Sequence, residues 1–296
     1  MIARKSGVNR LSAGWAILAG TVVAGVSMTA AGQSVPKART DDVCQPAGRL
    51  SSLPALPEAS GVAHSRRSPG LLWSHNDSGE PLVFALDAAG VVKGRVRVTG
   101  ARVTDWEDIT VGPCAQGSCL YIADIGDNNR ARRQITVYRL PEPRPGDSMT
   151  EPAEVWVGTY PDGAHDAEGA FITPAGELFI VTKESAATAA VYRFPRAQGN
   201  AGARLQIIAK VPVAQVTDAD ASADGNWIVL RTNDELFFYR TRDLLAGGRG
   251  EPQRFNLRSL GEPQGEGVAF GANGMIYLTG EGNRGGTLAR LRCTLR

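Results

Sequence analysis

The sequence predicts an all-β chain folded as a five-bladed β-propeller, and three observations lead there. A short acidic phrase recurs: Asp105-Trp106-Glu107-Asp108-Ile109, Asp166-Ala167-Glu168-Gly169-Ala170, Asp218-Ala219-Asp220-Ala221-Ser222 and Gly265-Glu266-Gly267-Val268-Ala269, with a weaker first copy at Glu58-Ala59-Ser60-Gly61-Val62. Aligning Ser60, Glu107, Glu168, Asp220 and Glu266 gives spacings of 47, 61, 52 and 46 residues, the length scale of a propeller blade. Runs of β-branched and aromatic residues separated by turn residues fill the repeats, and no long stretch shows helical periodicity.

Each repeat follows one grammar. The acidic phrase opens strand A. Strand B is an apolar run: Leu71-Leu72-Trp73-Ser74, Leu120-Tyr121-Ile122-Ala123, Leu178-Phe179-Ile180-Val181, Trp227-Ile228-Val229-Leu230 and Met275-Ile276-Tyr277-Leu278. The turns before it include Pro174-Ala175-Gly176, Asp224-Gly225 and Asn273-Gly274, the residues that short hairpins need. Strand C is predicted at 83–86, 136–139, 191–194, 236–239 and 288–291, and strand D at 91–98, 153–159, 205–211 and 253–257. The fifth repeat ends at Arg296 without a strand D. The unassigned segment Leu50-Ser51-Ser52-Leu53 can supply it and close the ring, which removes exposed sheet edges. Six blades is the alternative, if the 61-residue second repeat hides another sheet.

Residues 1–32 read as an export signal: Arg4, Lys5 and Arg10, then uncharged residues from Leu11 to Ala31 with small residues at the end. An uncleaved membrane anchor is the alternative, because 21 uncharged residues just span a bilayer. Residues 33–48 read as a linker and 49–296 as the propeller. Either N-terminal reading places the domain outside the cytoplasm, periplasmic or secreted. From Gln33 onward there are 29 Lys/Arg against 30 Asp/Glu, so no basic stripe remains for a nucleic acid. With the signal cleaved, no membrane insertion is expected. In an oxidising compartment the four cysteines predict two disulfides. Cys114 and Cys119 bracket a short loop. Cys44 and Cys293 then join the closing strand to the last blade.

In a propeller the starts of strands A and the B–C turns share one face. That brings together two polar sets. From the strand starts come Asp105, Glu107, Asp166, Glu168, Asp218, Asp220 and Glu266. From the turns come His75, Asn76, Asp77, Asp124, Asp127, Asn128, Lys183, Glu184, Arg231 and Glu281. Carboxylates crowded on a narrow axis must be protonated, paired with cations or bound to metal. Oxygen-only donors favour a hard ion, so Glu107, Glu168, Asp220 and Glu266 are the expected Ca²⁺ ligands. The competing reading has Lys183, Arg231 and backbone amides satisfying these acids. Acid–base candidates are His75, Asp77, Asp127 and His165. Asn76, Asp105, Asp124, Asn128, Asp166, Lys183, Glu184, Arg231 and Glu281 are the expected ligand-binding residues. Arg130, Arg132 and Arg133 read as a solvated loop. No nucleophile elbow, phosphate-cradling loop or His-Glu-x-x-His is present.

At Ser60-Gly61-Val62-Ala63, Trp73-Ser74-His75-Asn76-Asp77-Ser78-Gly79, Asp105-Trp106-Glu107-Asp108-Ile109 and Asp124-Ile125-Gly126-Asp127-Asn128 the chain resembles secreted bacterial β-propellers of unassigned activity. More distantly it is similar to the calcium-binding propellers of the SdiA-regulated and regucalcin/gluconolactonase-like groups, and to the esterase-like phytases. The resemblance implies one divalent ion held by a Glu, an Asn and an Asp. Glu107, Asn128 and Asp220 would play comparable parts. The expected function is an exported, monomeric module binding a small-molecule or protein ligand at a Ca²⁺-loaded funnel. The alternative is a metal-dependent hydrolase of a lactone, ester or phosphate ester.

Overall fold

The computed structural model describes residues 43–115, 117–185, 188–195 and 202–296. The expected export signal and residues 33–42 of the expected linker lie outside the described residues. Two short strands, β1 (Cys44–Pro46) and β2 (Ser51–Leu53), come first and find their partner at the far end of the chain. Blade one is the antiparallel meander of β3 (Ala59–His64), β4 (Leu71–Asn76), β5 (Leu82–Asp87) and β6 (Val92–Arg97). Blade two holds β7 (Trp106–Cys114), β8 (Gly117–Asp124), β9 (Ile135–Pro141) and β10 (Glu154–Thr159). Blade three holds β11 (Ala167–Ile172), β12 (Leu178–Thr182), β13 (Ala189–Phe194) and, after the short β14 (Ala203–Arg204), β15 (Gln206–Val211). The pair in β14 adds a parallel edge to β10.

Blade four is β16 (Val216–Ala221), β17 (Trp227–Thr232), β18 (Glu235–Arg240) and β19 (Gln253–Asn256), with the one-turn helix α1 (Thr241–Leu245) between the last two. Blade five is β20 (Gln264–Phe270), β21 (Met275–Glu281) and β22 (Gly286–Cys293). Its outer strand is the chain's beginning: Cys44 pairs with Cys293 and Ser51 with Leu288, both antiparallel. The protein is therefore a five-bladed β-propeller closed by its N-terminal strands. The closing segment starts within the expected linker, because Cys44–Pro46 already belongs to the sheet. Both disulfides form as Cys44–Cys293 and Cys114–Cys119. Among the described residues no helix is long and apolar enough to cross a membrane.

The long second repeat hides no sixth blade. Its extra length lies along the edge of blade one, where the Arg97 amide donates to Ser148 O at 3.0 Å and the Thr150 amide to Arg97 O at 2.9 Å. A covered edge has no free ladder to offer another chain. The core lies between neighbouring blades, which explains why the second strands are apolar on both faces. Trp73, Val83 and Ala85 of blade one meet Ile109, Leu120 and Ile122 of blade two. Ring closure uses the same chemistry: Leu53, Leu72 and Leu86 pack on Ala269, Tyr277 and Leu288.

Arg231 departs from its expected place on the ligand face. Its guanidinium is fully buried between blades four and five, donating to Gly267 O and, at 2.7 Å, to Thr279 O, and pairing with the buried Glu262 at 2.8 Å. Gly265 makes room, since a Cβ there would lie 2.2 Å from Arg231 Nη2. Arg231→Met is expected to cost about 3–5 kcal/mol, because it strands a buried carboxylate. Adding Glu262→Leu should recover part of that loss, and urea titrations of both variants measure it.

The candidate functional site is an acidic funnel

The inner strands β3, β7, β11, β16 and β20 lie side by side around the axis. Each carries a register shift near its start, between Ala59 and Val62, Trp106 and Asp108, Ala167 and Gly169, Val216 and Asp218, and Gly265 and Val268. A bulge re-aims one side chain per strand. The bulged residues are Glu107, Glu168 and Glu266, with Ser60 and Thr217 in the other two blades. Ser60 Oγ donates to Glu107 O at 2.6 Å, and Thr217 Oγ1 donates to Glu266 O at 2.9 Å, so both hydroxyls stitch neighbouring blades in the same way.

This register corrects the fourth repeat. Thr217, not Asp220, stands with the three glutamates, and Asp220 lies three residues further along β16. Its two oxygens accept from the Phe270 and Ala221 amides at 2.8 Å. Burial pushes its pKa up to about 7 against these two bonds. The residue after the bulge is glycine in three blades and aspartate in two, Asp108 and Asp218. Both are buried and each bridges to the next blade, Asp108 to the Ala170 amide and Asp218 to the Val268 amide. The two carboxyls also act on each other, and the Asp108 charge adds to burial in raising Asp218. Burial raises both, Asp108 to about 6. The sequence reading missed Asp108 and set Asp218 in the wrong column. The Glu-Asp, Thr-Asp and Glu-Gly steps after the bulge were the signal for it.

At the funnel mouth, Glu107 and Asp105 press together over Gly126. A Cβ on that glycine would lie 2.2 Å from Glu107 Oε1 and 2.4 Å from Asp105 Oδ2. Burial, then the Glu168 and Asp105 charges, pushes Glu107 up to about 10. Glu168 is 4% exposed, and the Lys183 ammonium meets its Oε1 while Oε2 is buried without a hydrogen bond. Burial raises the Glu168 pKa, and Lys183 offsets only part of that. Gln264 Nε2 donates to Glu266 Oε1 at 2.7 Å and to Glu281 Oε2 at 2.9 Å. Glu281 is raised to about 7 by burial and by Glu266, Asp77 and Glu58. Asp77 is raised to about 6 by burial and Glu58, with Oδ1 unpartnered. A hollow of about 400 Å³ opens beside them, lined by Pro57, Glu58, Pro263, Gln264 and Glu281.

Other expected site residues have structural work. His75 is fully buried edge-on against Trp106, and burial lowers its pKa to about 4. Asp127 accepts from the Ala131 and Arg132 amides at 2.9 and 2.7 Å, which spends its carboxylate on a turn. Asp124 is buried, accepting from the Thr104 amide at 3.0 Å and pairing with Arg132 at 2.7 Å. Arg132 is thus a turn lock rather than a solvated residue. Asp166 Oδ1 accepts from the Asp127 amide at 2.9 Å, and Asn76 Oδ1 from the Glu58 amide at 3.2 Å. Asn128 is exposed on the rim. His165 sits at the blade-three rim, 3.1 Å from both Glu184 Oε1 and Asp162 Oδ1, while Arg130 holds Glu184 at 2.9 Å.

No protein-family model and no curated protein matches the sequence. Among solved structures, the chain is similar in fold to the PQQ-bound aldose sugar dehydrogenase of Streptomyces coelicolor. The TM-score is 0.52 at 11% identity, over 85% of this chain and 98% of that one. A gluconolactonase from Xanthomonas campestris gives 0.49 at 13% identity, covering 86% and 95%. A glucose dehydrogenase gives 0.48 at 12%, covering 84% and 100%. At these identities the likeness concerns the propeller fold and transfers no residue.

Proposed function

We propose that this is an exported binding propeller whose acidic funnel takes up a cation and whose rim holds a small-molecule or protein ligand. One observation carries the reading: Glu107, Glu168, Glu266 and Glu281 all lie within reach of a single ammonium, Lys183, while Asp105 beside Glu107 feels Arg132 instead. Buried carboxylates in excess of their counter-charge either keep protons or recruit a cation. The donors are hard oxygens, which suits Ca²⁺, and Glu168 Oε2 offers a buried acceptor with nothing on it. Among the described residues no three His, Cys, Asp or Glu side chains already stand close enough to hold a metal ion. Glu107, Glu168 and Glu266 would therefore hold it after side-chain movement, and Asp220 is outside the set. A bound ion would neutralise the funnel and polarise a ligand oxygen. The two disulfides support export.

Titration calorimetry with CaCl₂ near pH 7.5, in two buffers of different ionisation enthalpy, tests this. Expected are saturable binding, release of about one proton or more per ion, and a higher Tm. Neither heat nor a Tm shift with millimolar Ca²⁺, Mg²⁺ or Mn²⁺ would overturn it. A hydrolase is the second reading, favoured by Glu281, whose carboxyl is pushed up to about 7 by burial and the neighbouring acids beside the hollow. Turnover of a lactone, aryl ester or phosphate ester that Glu107→Gln abolishes would establish it.

A further inference from the structure

Lys183 is the one basic residue at its position in the ring. Counting one residue past the partner of each residue that precedes the bulge, the equivalent places hold Asp77, Ile125, Lys183, Asn233 and Glu281. Of these five positions, blade three's alone carries a cation. Its backbone is fixed to the wall, the amide donating to Asp166 O at 2.9 Å, while the four-carbon stem leaves the ammonium free to move.

We infer that Lys183 is the funnel's tethered counter-ion and that a divalent cation enters by displacing it. This rests on the cation-binding reading above. The ammonium lies against Glu168 and is drawn also by Glu266 and Glu107. One positive charge cannot satisfy three acids. The buried Glu168 Oε2 shows the shortfall, since no donor reaches it. A divalent ion supplies the missing charge, yet it cannot share the space, because two cations a few ångströms apart in a poorly solvated site repel strongly. The lysine must swing towards the rim. In the empty state it keeps the funnel folded and blocks monovalent ions that bring no more charge than it does. Lys183 is thus a specificity-determining residue, selecting for charge two over charge one.

Two measurements test this. Calorimetry should find that Lys183→Met binds Ca²⁺ at least tenfold more tightly than the wild type and also gains Na⁺ sensitivity. In the unmutated protein, amine acylation mapped by mass spectrometry should show Lys183 protected without Ca²⁺. With Ca²⁺ it should become several-fold more reactive, while the exposed Lys93 and Lys210 serve as constant references. The second readout stands even if the variant does not fold. Wild-type binding with unchanged affinity in Lys183→Met, or an unchanged Lys183 footprint on saturation, overturns the displacement and leaves the cation funnel intact. Absence of binding in both proteins removes the cation reading and this inference with it.

Discussion

In the presence of a chelator, the protein is expected to lose stability as the pH rises from 5 to 8, the reverse of what paired carboxylates give. The sign follows from the direction of the shifts. Asp108, Asp220 and Glu107 have folded-state values of about 6, 7 and 10, against ordinary values of 3.8, 3.8 and 4.5. The native state therefore holds protons that the unfolded chain has already released. Stability from these groups is complete below about pH 4 and is lost as the pH climbs through the folded values. One unit of difference is worth about 1.4 kcal/mol, so a loss of several kcal/mol, or roughly 10 °C in Tm, is expected across this window. Asp220→Asn should remove part of the slope, since an amide carries no titrating charge, though it keeps only one of the two acceptors. Saturating Ca²⁺ should flatten the rest by replacing protons at Glu107 and Glu168. Thermal melts at four pH values, with and without Ca²⁺, decide the matter. A flat or rising chelated profile would show that the axis carries no excess of buried carboxylate.

The ring was legible in the sequence because its information is local and repeated. Apolar second strands such as Leu178–Thr182 announce burial on both faces, and Asp224-Gly225 or Asn273-Gly274 announce the turns. Closure was legible too, since Ser51–Leu53 was the apolar segment left over where the last blade lacked a strand. The funnel's composition could be read, but its register could not. Asp218-Ala219-Asp220 imitates Asp105-Trp106-Glu107, and only the bulge after Val216 shows that Thr217 takes the glutamate's place. Side-chain fate was least legible, because it depends on what arrives from elsewhere. Asp127 is claimed by amides four and five residues on, His75 is covered by Trp106 from the next blade, and Arg231 crosses to Glu262 through the gap at Gly265. Polar residues on a turn of known face can still point into the wall.

Breaking the Cys44–Cys293 bridge is expected to cost far more than breaking Cys114–Cys119. The first closes a loop of 249 residues and the second a loop of 5. Loop-closure entropy grows with the logarithm of length, so the long bridge contributes about 5 kcal/mol and the short one roughly half that. Position widens the gap. Cys44 begins a three-residue strand with few ladder bonds of its own, and β1 and β2 are what give blade five its outer edge. Without the bridge they can peel from β22, exposing an unpaired edge and the layer of Leu53, Leu72 and Leu288 that seals blade five to blade one. Cys114–Cys119 only pins a hairpin whose strands already pair from Trp106 to Cys114. A Cys44→Ser/Cys293→Ser variant should therefore melt at least 10 °C lower and be cleaved early near residues 44–53 in limited proteolysis. Cys114→Ser/Cys119→Ser should keep the native cleavage pattern and lose only a few degrees. Equal losses from the two variants would mean that the N-terminal strands hold blade five without covalent help, and that the ring owes its closure to packing alone.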